Sequence, residues 1–426
     1  MSRIGGLPDE LLIKILSYLP TKVAVSTSIL SKQWKLLWMW LPKIEYITIY
    51  SKPTLREFID KNLPLHRAPV IESLRFKLNC NQTKPEYIKR WIEIAVSRHV
   101  RELEITYFWE NRNIFPSSFY TCKSLVILKL EDVTLMDVPP SMVCLPSLKT
   151  LKLESVTYVN DESLQRLLSI CPVLEDLSVR LCHSYDDDDN DMEEFSIIVP
   201  SLQRLSLSID DDYQDLDRYV INTPCLKYFK LKDRNDSGHD CEIKNMPILK
   251  EAYVDVVSAS LKSVVGSITS VKRLTLCSEN LNEENDDDAD YGDGFVFKEL
   301  EHLNLCVSKK HWSNLLTQLL NDVPILRVLD ISYLDDHGLS KHNQLVRWKQ
   351  PISVPECLLS SLQIFKWSGY TGKRQDRDIA VYILKNARCL KTATILAQPS
   401  LVPKLDMIKE LKFSSRASTT CELLFD

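Results

Sequence analysis

One short unit recurs along this chain: a leucine, two variable residues, then two apolar positions separated by a polar one. It reads LVILKL from Leu125, LKTLKL from Leu148, LEDLSV from Leu174, LQRLSL from Leu202, LKYFKL from Leu226 and LKEAYV from Leu249. It returns as VKRLTL from Val271, LEHLNL from Leu300, LRVLDI from Leu326 and LQIFKW from Leu362, with a weaker LKTATI from Leu390. Successive copies start 22 to 29 residues apart, with one interval of 36. The apolar–polar alternation predicts a strand with one buried face. No single unit can bury that face alone, so neighbours must stack into a continuous core beneath a parallel sheet.

The period is that of leucine-rich repeats, roughly 20–29 residues. The pattern opens upstream with Tyr46, Ile47, Ile49 and Tyr50, then Ile71, Leu74, Phe76 and Leu78. Return segments 86–96, 161–169 and 312–320 have helical spacing, and others are too short or too polar. With only 9 glycines against 20 prolines, the units are punctuated by proline rather than by hairpin glycines.

Residues 4–40 follow a different rule and read as three short helices. Pro8 suits a first turn, because its missing N–H has no helical partner there. Asp9 and Glu10 suit the positive end of the helix dipole. Leu11, Leu12, Ile15, Leu16 and Leu19 recur at helical spacing, and Pro20 stops the helix. Thr21 is the expected cap of a second helix carrying Val23, Ala24, Val25 and Ile29. Ser31 is the expected cap of a third, with Trp34, Leu37 and Trp38, ended by Pro42. Three such helices make too small a core to stand alone, so their apolar residues need another surface.

The pieces LPDELLIKILSYLPTK and AVSTSILSKQWKLLW resemble the F-box. That resemblance implies docking on a Skp-type adaptor and, through it, on a cullin scaffold of a ubiquitin ligase. Gln33 departs from the arginine usual at its position, which is expected to face solvent. The residues carried over as adaptor-binding are Leu7, Pro8, Leu11, Ile15, Leu16, Leu19, Pro20, Val23, Leu30, Trp34, Leu37 and Trp38. Some of them must instead hold the helices together.

Residues 354–395 place a strand, a glycine-containing turn at 368–372, an amphipathic helix at 376–386 and a closing strand in order. With its WSGY and NARCLK pieces, this stretch resembles the FBD of plant F-box/FBD/LRR-repeat proteins. The expected class is therefore α/β. A three-helix F-box (1–42) precedes a leucine-rich-repeat solenoid (43–350) with its parallel sheet on the concave face. An FBD (351–397) closes the open strand edge, and a tail (398–426) follows.

A net charge of -5 disfavours nucleic acid as the main partner. No run of eighteen apolar residues and no signal-like start occur, so no membrane association is expected, and the expected compartment is cytosol or nucleus. The 12 cysteines lack any C-x-x-C; Cys171, Cys277 and Cys389 lie in apolar runs and read as reduced thiols acting as small hydrophobes. Acidic runs at 186–194, 210–217 and 285–293 read as solvated insertions. As an EF-hand the last fails, because Asp293 stands where glycine is needed. No catalytic motif is present, and neither His302 nor His183 has a nucleophile suitably spaced. No cofactor is expected.

The expected reading is a non-catalytic substrate receptor of a ubiquitin ligase, with an unknown target on the open face of the sheet. The alternative is a repeat scaffold that joins no ligase. On each strand the outward residues flank the buried pair. Basic and aromatic ones concentrate mid-sheet at Arg204, Tyr228, Lys230 and Lys232, with Tyr253 and Arg273 beyond, which suits an acidic or phosphorylated target.

Overall fold

The computed structural model describes residues 6–47, 54–78, 83–107, 113–135, 143–182, 192–211, 213, 216–235, 238–279, 295–306, 312–332, 348–397 and 409–425. Two compact units divide the chain, Met1–Leu202 and Gln203–Asp426.

The first unit opens with helix α1 (Asp9–Leu16), where the Pro8 carbonyl accepts the N–H groups of Leu11 and Leu12 at 3.1 and 3.2 Å. Helix α2 (Thr21–Ser26) starts the same way: the Pro20 carbonyl accepts from Val23 and Ala24 at 2.8 and 3.0 Å. Thr21 is thus not a cap but the first helical residue. Its Oγ1 accepts the Glu45 N–H at 2.8 Å and ties the helices to the first strand.

The expected third helix is also corrected. Residues 32–36 form turns, and Leu37–Trp40 makes a single 3-10 turn. Leu37, Trp38 and Met39 are all buried, a demand that one stripe of an α-helix does not meet. They pack with Leu12, Leu16, Ala24, Trp34 and Leu41 into one small core.

The strands and helices of this unit then follow as β1 (Lys43–Ile47), α3 (Thr54–Asn62), β2 (Ser73–Leu78), α4 (Pro85–Ser97), β3 (Glu102–Tyr107), β4 (Ile127–Glu131), β5 (Thr134–Leu135), β6 (Thr150–Glu154), β7 (Thr157–Tyr158), α5 (Ser163–Ser169), β8 (Asp176–Leu181) and β9 (Glu194–Ile198). Strands β1, β2, β3, β4, β6 and β8 pair in that order, all parallel. Their register lines up Leu74, Leu103, Leu128, Leu151 and Leu177 in one buried row, and Phe76, Ile105, Leu130, Leu153 and Val179 in the next. Tyr46 stacks on Phe76 and Phe76 on Trp91 of α4, each at 5.7 Å between centroids.

The second unit runs β10 (Arg204–Ile209), β11 (Arg218–Asn222), β12 (Tyr228–Asp233), β13 (Asp240–Ile243), β14 (Glu251–Val257), α6 (Ser258–Ser267), β15 (Arg273–Glu279), β16 (His302–Cys306), α7 (Trp312–Asp322), β17 (Val328–Ser332), α8 (Glu356–Ser360), β18 (Ile364–Tyr370), α9 (Arg374–Asn386), β19 (Thr392–Ala397) and β20 (Glu422–Phe425). The long parallel ladder is β10, β12, β14, β15, β16, β17, β18, β19 and β20. A separate parallel pair joins β11 to β13.

Two expectations for the carboxy-terminal end change. The strand at 364 continues through Tyr370, with a register shift at Ser368/Tyr370 and Gly369 at φ 79°, a conformation open to glycine. The FBD does not supply the last strand of the ladder: β20, in the tail, pairs with β19, so the edge of β19 is covered by the tail. The acidic runs at 186–194 and 210–217 lie partly outside the described residues, and the run at 285–293 and His183 lie wholly outside them.

Candidate functional site

Helix α1 carries two apolar stripes. Leu12 and Leu16 turn inward and are fully buried, whereas Leu11 and Ile15, four residues apart, face outward at 48% and 43% exposure. Leu19 and Val23 continue the outward stripe to α2, and Leu30, at 65%, lies beyond it. Pro8 and Pro20 are exposed and Leu7 is half-buried. Of the twelve residues carried over for docking, Leu16, Trp34, Leu37 and Trp38 are instead core side chains of the helical cluster. Four exposed apolar residues absent from that set, Tyr18, Ile29, Leu36 and Trp40, occur in the same segment. Their sequence signal was position alone, since a leucine or tryptophan in so short a helix reads equally well as core.

Gln33 is half-buried rather than solvent-facing. Its Nε2 donates to the Leu7 carbonyl at 3.2 Å and to Asp9 Oδ1 at 2.9 Å, fastening residues 32–36 to the start of α1. An uncharged amide therefore fills the site that the resemblance assigns to an arginine.

All six residues expected on the target side fall on the strand face of the second unit. The parallel register aligns Arg204, Tyr228, Glu251, Arg273 and His302 in one row, and Ser206, Lys230, Tyr253, Thr275 and Asn304 in the next. Arg204 lies over the Tyr228 ring with its guanidinium carbon 4.8 Å from the centroid. Lys230 Nζ lies 5.5 Å from the centroid of Tyr253. These contacts join residues from three neighbouring strands, which the sequence could not show.

The outward assignment fails at three positions. Asp255 is buried and accepts Arg234 through Nε at 3.2 Å and Nη2 at 2.9 Å. Cys277 and Cys306 are buried and joined in a disulfide, with Cα atoms 4.7 Å apart. For Cys277 this replaces the expected reduced thiol; the register of β15 on β16, which pairs Leu276 with Leu305, brings the next residue of each strand side by side. Further along the face, burial pushes the His302 imidazole below its ordinary range, and burial lifts the Asp330 carboxyl above its own, against the pull of Lys366 and His302.

One buried polar cluster had no sequence signal. The Asp233 carboxylate accepts the Tyr219 hydroxyl at 2.8 Å and His239 Nε2 at 2.9 Å, with all three side chains shielded from water. Its members come from β11, β12 and the segment before β13. Among the described residues, no group of three His, Cys, Asp or Glu side chains is placed to hold a metal, and no helix is long and apolar enough to cross a membrane.

Comparison with known proteins covers most of the chain. The F-box domain matches residues 4–46, the repeats of "FBD-associated F-box protein At5g56370, LRR repeats" match 88–252, and the FBD matches 350–395. "FBD-associated F-box protein At5g38590" of Arabidopsis thaliana is 59% identical, with 96% of this chain and 98% of that protein aligned. "FBD-associated F-box protein At4g10400" is 54% identical over the full length of both, and "Putative F-box/FBD/LRR-repeat protein At5g62970" is 45% identical over the full length of both, each from the same plant. A chain in the crystal structure of the yeast Rad7 and Elc1 complex aligns over 81% of this chain and 98% of its own, at 13% identity and a TM-score of 0.24, too low to support any argument. The sequence family, rather than any structural neighbour, places this molecule: the chain belongs to the F-box/FBD/LRR-repeat proteins.

Proposed function

We propose that this chain is a substrate-recognition subunit of a cullin-RING ubiquitin ligase. The amino-terminal helices dock on a Skp-type adaptor, and the strand face of the second unit holds the protein to be ubiquitinated. The observation that carries the reading is the outward stripe that begins on α1 and continues to α2. Leu11, Ile15, Leu19 and Val23 are presented to solvent while an adjacent stripe already fills the core. Exposed apolar side chains contiguous along a short helical segment are the usual mark of a protein interface. Their burial by a partner supplies the surface that three short helices cannot supply themselves.

On this reading the chain contributes no bond-making chemistry. It raises the effective concentration of target lysines near the ubiquitin carried by other subunits. The nucleus or cytoplasm is the compartment in which such a ligase works.

The test is affinity purification of the tagged full chain with degradation blocked. Wild-type chain should bring down a Skp-type adaptor, a cullin and a target. A Leu11→Ala, Leu19→Ala pair should lose adaptor and cullin while keeping the target. Recovery of a target with no cullin from the wild type would instead support a scaffold outside any ligase.

A further inference from the structure

We infer that the strand face over β16, β17 and β18 receives a tyrosine side chain of the target, its ring laid on Val328 and Ile364 and its hydroxyl donating to the Asp330 carboxylate. This rests on the receptor reading above and specifies what its target face recognises. The register sets the site. One outward row runs His302, Val328 and Ile364 across the three strands, and the next runs Asn304, Asp330 and Lys366. Lys366 is exposed and the other five are half-buried. Two apolar side chains thus lie side by side on neighbouring strands. A carboxylate stands one alternate position further along β17, about 6.8 Å away.

The Asp330 carboxylate has hydrogen-bonding capacity to spare. It stands between Asn304 and Lys366 in register, yet among the described residues it makes no hydrogen bond and closes no ion pair. Asn304 spends its Oδ1 on the Ser332 hydroxyl, at 2.9 Å. A half-shielded carboxylate gains more from a donor than one in open water does. The surrounding charges select that donor. A target lysine or arginine would bring a second cation beside Lys366, whose charge already acts on Asp330 and His302. A target carboxylate or phosphate would meet Asp330 itself. A neutral donor meets neither objection. Serine is such a donor but has nothing to lay on Val328 and Ile364. Tyrosine joins an apolar ring to an O–H at its tip, whereas an indole carries its N–H on the flank of the ring.

The test uses the full chain purified with its adaptor and a random-peptide library. Retained peptides should be enriched in tyrosine over phenylalanine at one position. In the most enriched peptide, replacing that tyrosine by phenylalanine should weaken binding about tenfold, a difference of about 1.4 kcal/mol. Phosphorylating the tyrosine should weaken it further. Asp330→Ala should make the tyrosine and phenylalanine peptides bind equally. Asp330→Asn, alike in shape but uncharged, should shrink the preference, and the exposed Lys262→Gln should preserve it. Absence of tyrosine enrichment, equal binding of the two peptides by the wild type, or a preference that survives both Asp330 substitutions overturns the inference. So does tighter binding of the phosphorylated peptide. Adaptor co-purification, measured on the same samples, reports separately on the receptor reading.

Discussion

His66 Nε2 donates to the carbonyl oxygen of Leu41 at 2.8 Å, a bond that joins the end of the helical cluster to the segment leading into β2. The backbone reinforces it: the N–H groups of Arg67 and Ala68 both reach the Met39 carbonyl, at 2.7 and 3.2 Å. The helices are thus fixed to the first strands rather than hung on a loose linker.

That bond makes stability depend on pH. The His66 ring is buried, and its Nδ1 has no partner, so a second proton would be added to a shielded nitrogen with no acceptor. Burial accordingly holds the imidazole below its ordinary range, against the Leu41 bond, with Arg98 adding to the depression. A depressed histidine binds fewer protons folded than unfolded, so stability is full above the unfolded value of about 6.5 and falls as pH drops below it. Thermal melts should show the midpoint falling between pH 7.5 and 5.5, and His66→Gln should reduce that fall.

The Asp233 cluster should tolerate change poorly. Asp233→Ala leaves the Tyr219 hydroxyl and His239 Nε2 shielded without their shared acceptor. At about 1–3 kcal/mol for a buried group that loses its acceptor, the loss should be measurable by urea unfolding. An unchanged midpoint would mean that water reaches the cluster.

The FBD helix has its own latch. Asp376 Oδ2 accepts both the backbone N–H and the hydroxyl of Thr371, at 3.0 and 2.5 Å, pinning the turn after β18 to the first turn of α9. Thr371→Val removes the hydroxyl and keeps the shape, and should cost about 1 kcal/mol. Asp376→Ala removes both bonds and should cost clearly more in the same melt.

The core rows should behave like ordinary close-packed interior. Leu231 lies between Leu207 and Val254 and is fully buried. Leu231→Ala should cost about 2–5 kcal/mol, with the spread set by how far the neighbours collapse.

Much of this was written in the sequence because the repeat strands obey a local rule. Alternation placed Leu205 and Leu207 inward and Arg204 and Ser206 toward water, and the spacing of the units ordered the ladder. Where the outcome depends on a distant partner, the rule loses force. Cys277 and Cys306 occupy outward positions by alternation yet are buried and joined to each other. The pair β11–β13 carries no such mark, because Tyr219 and Ile221 follow no leucine unit. The helical segment was legible as apolar but not as divided, since Leu11 and Leu12 are the same residue and only packing sends one out and the other in.

On the receptor reading the outward stripe of α1 is an adaptor-binding surface, so its residues should set the dissociation constant for a purified Skp-type adaptor. A Leu11→Ala, Ile15→Ala pair should weaken binding by about thirty- to a thousandfold, as expected for about 2–4 kcal/mol at interface hot spots. Ile248→Ala, an equally exposed apolar residue of the second unit, should leave the constant unchanged. An unaltered dissociation constant for the pair, with the fold intact by melting, would mean that the adaptor does not bind this stripe.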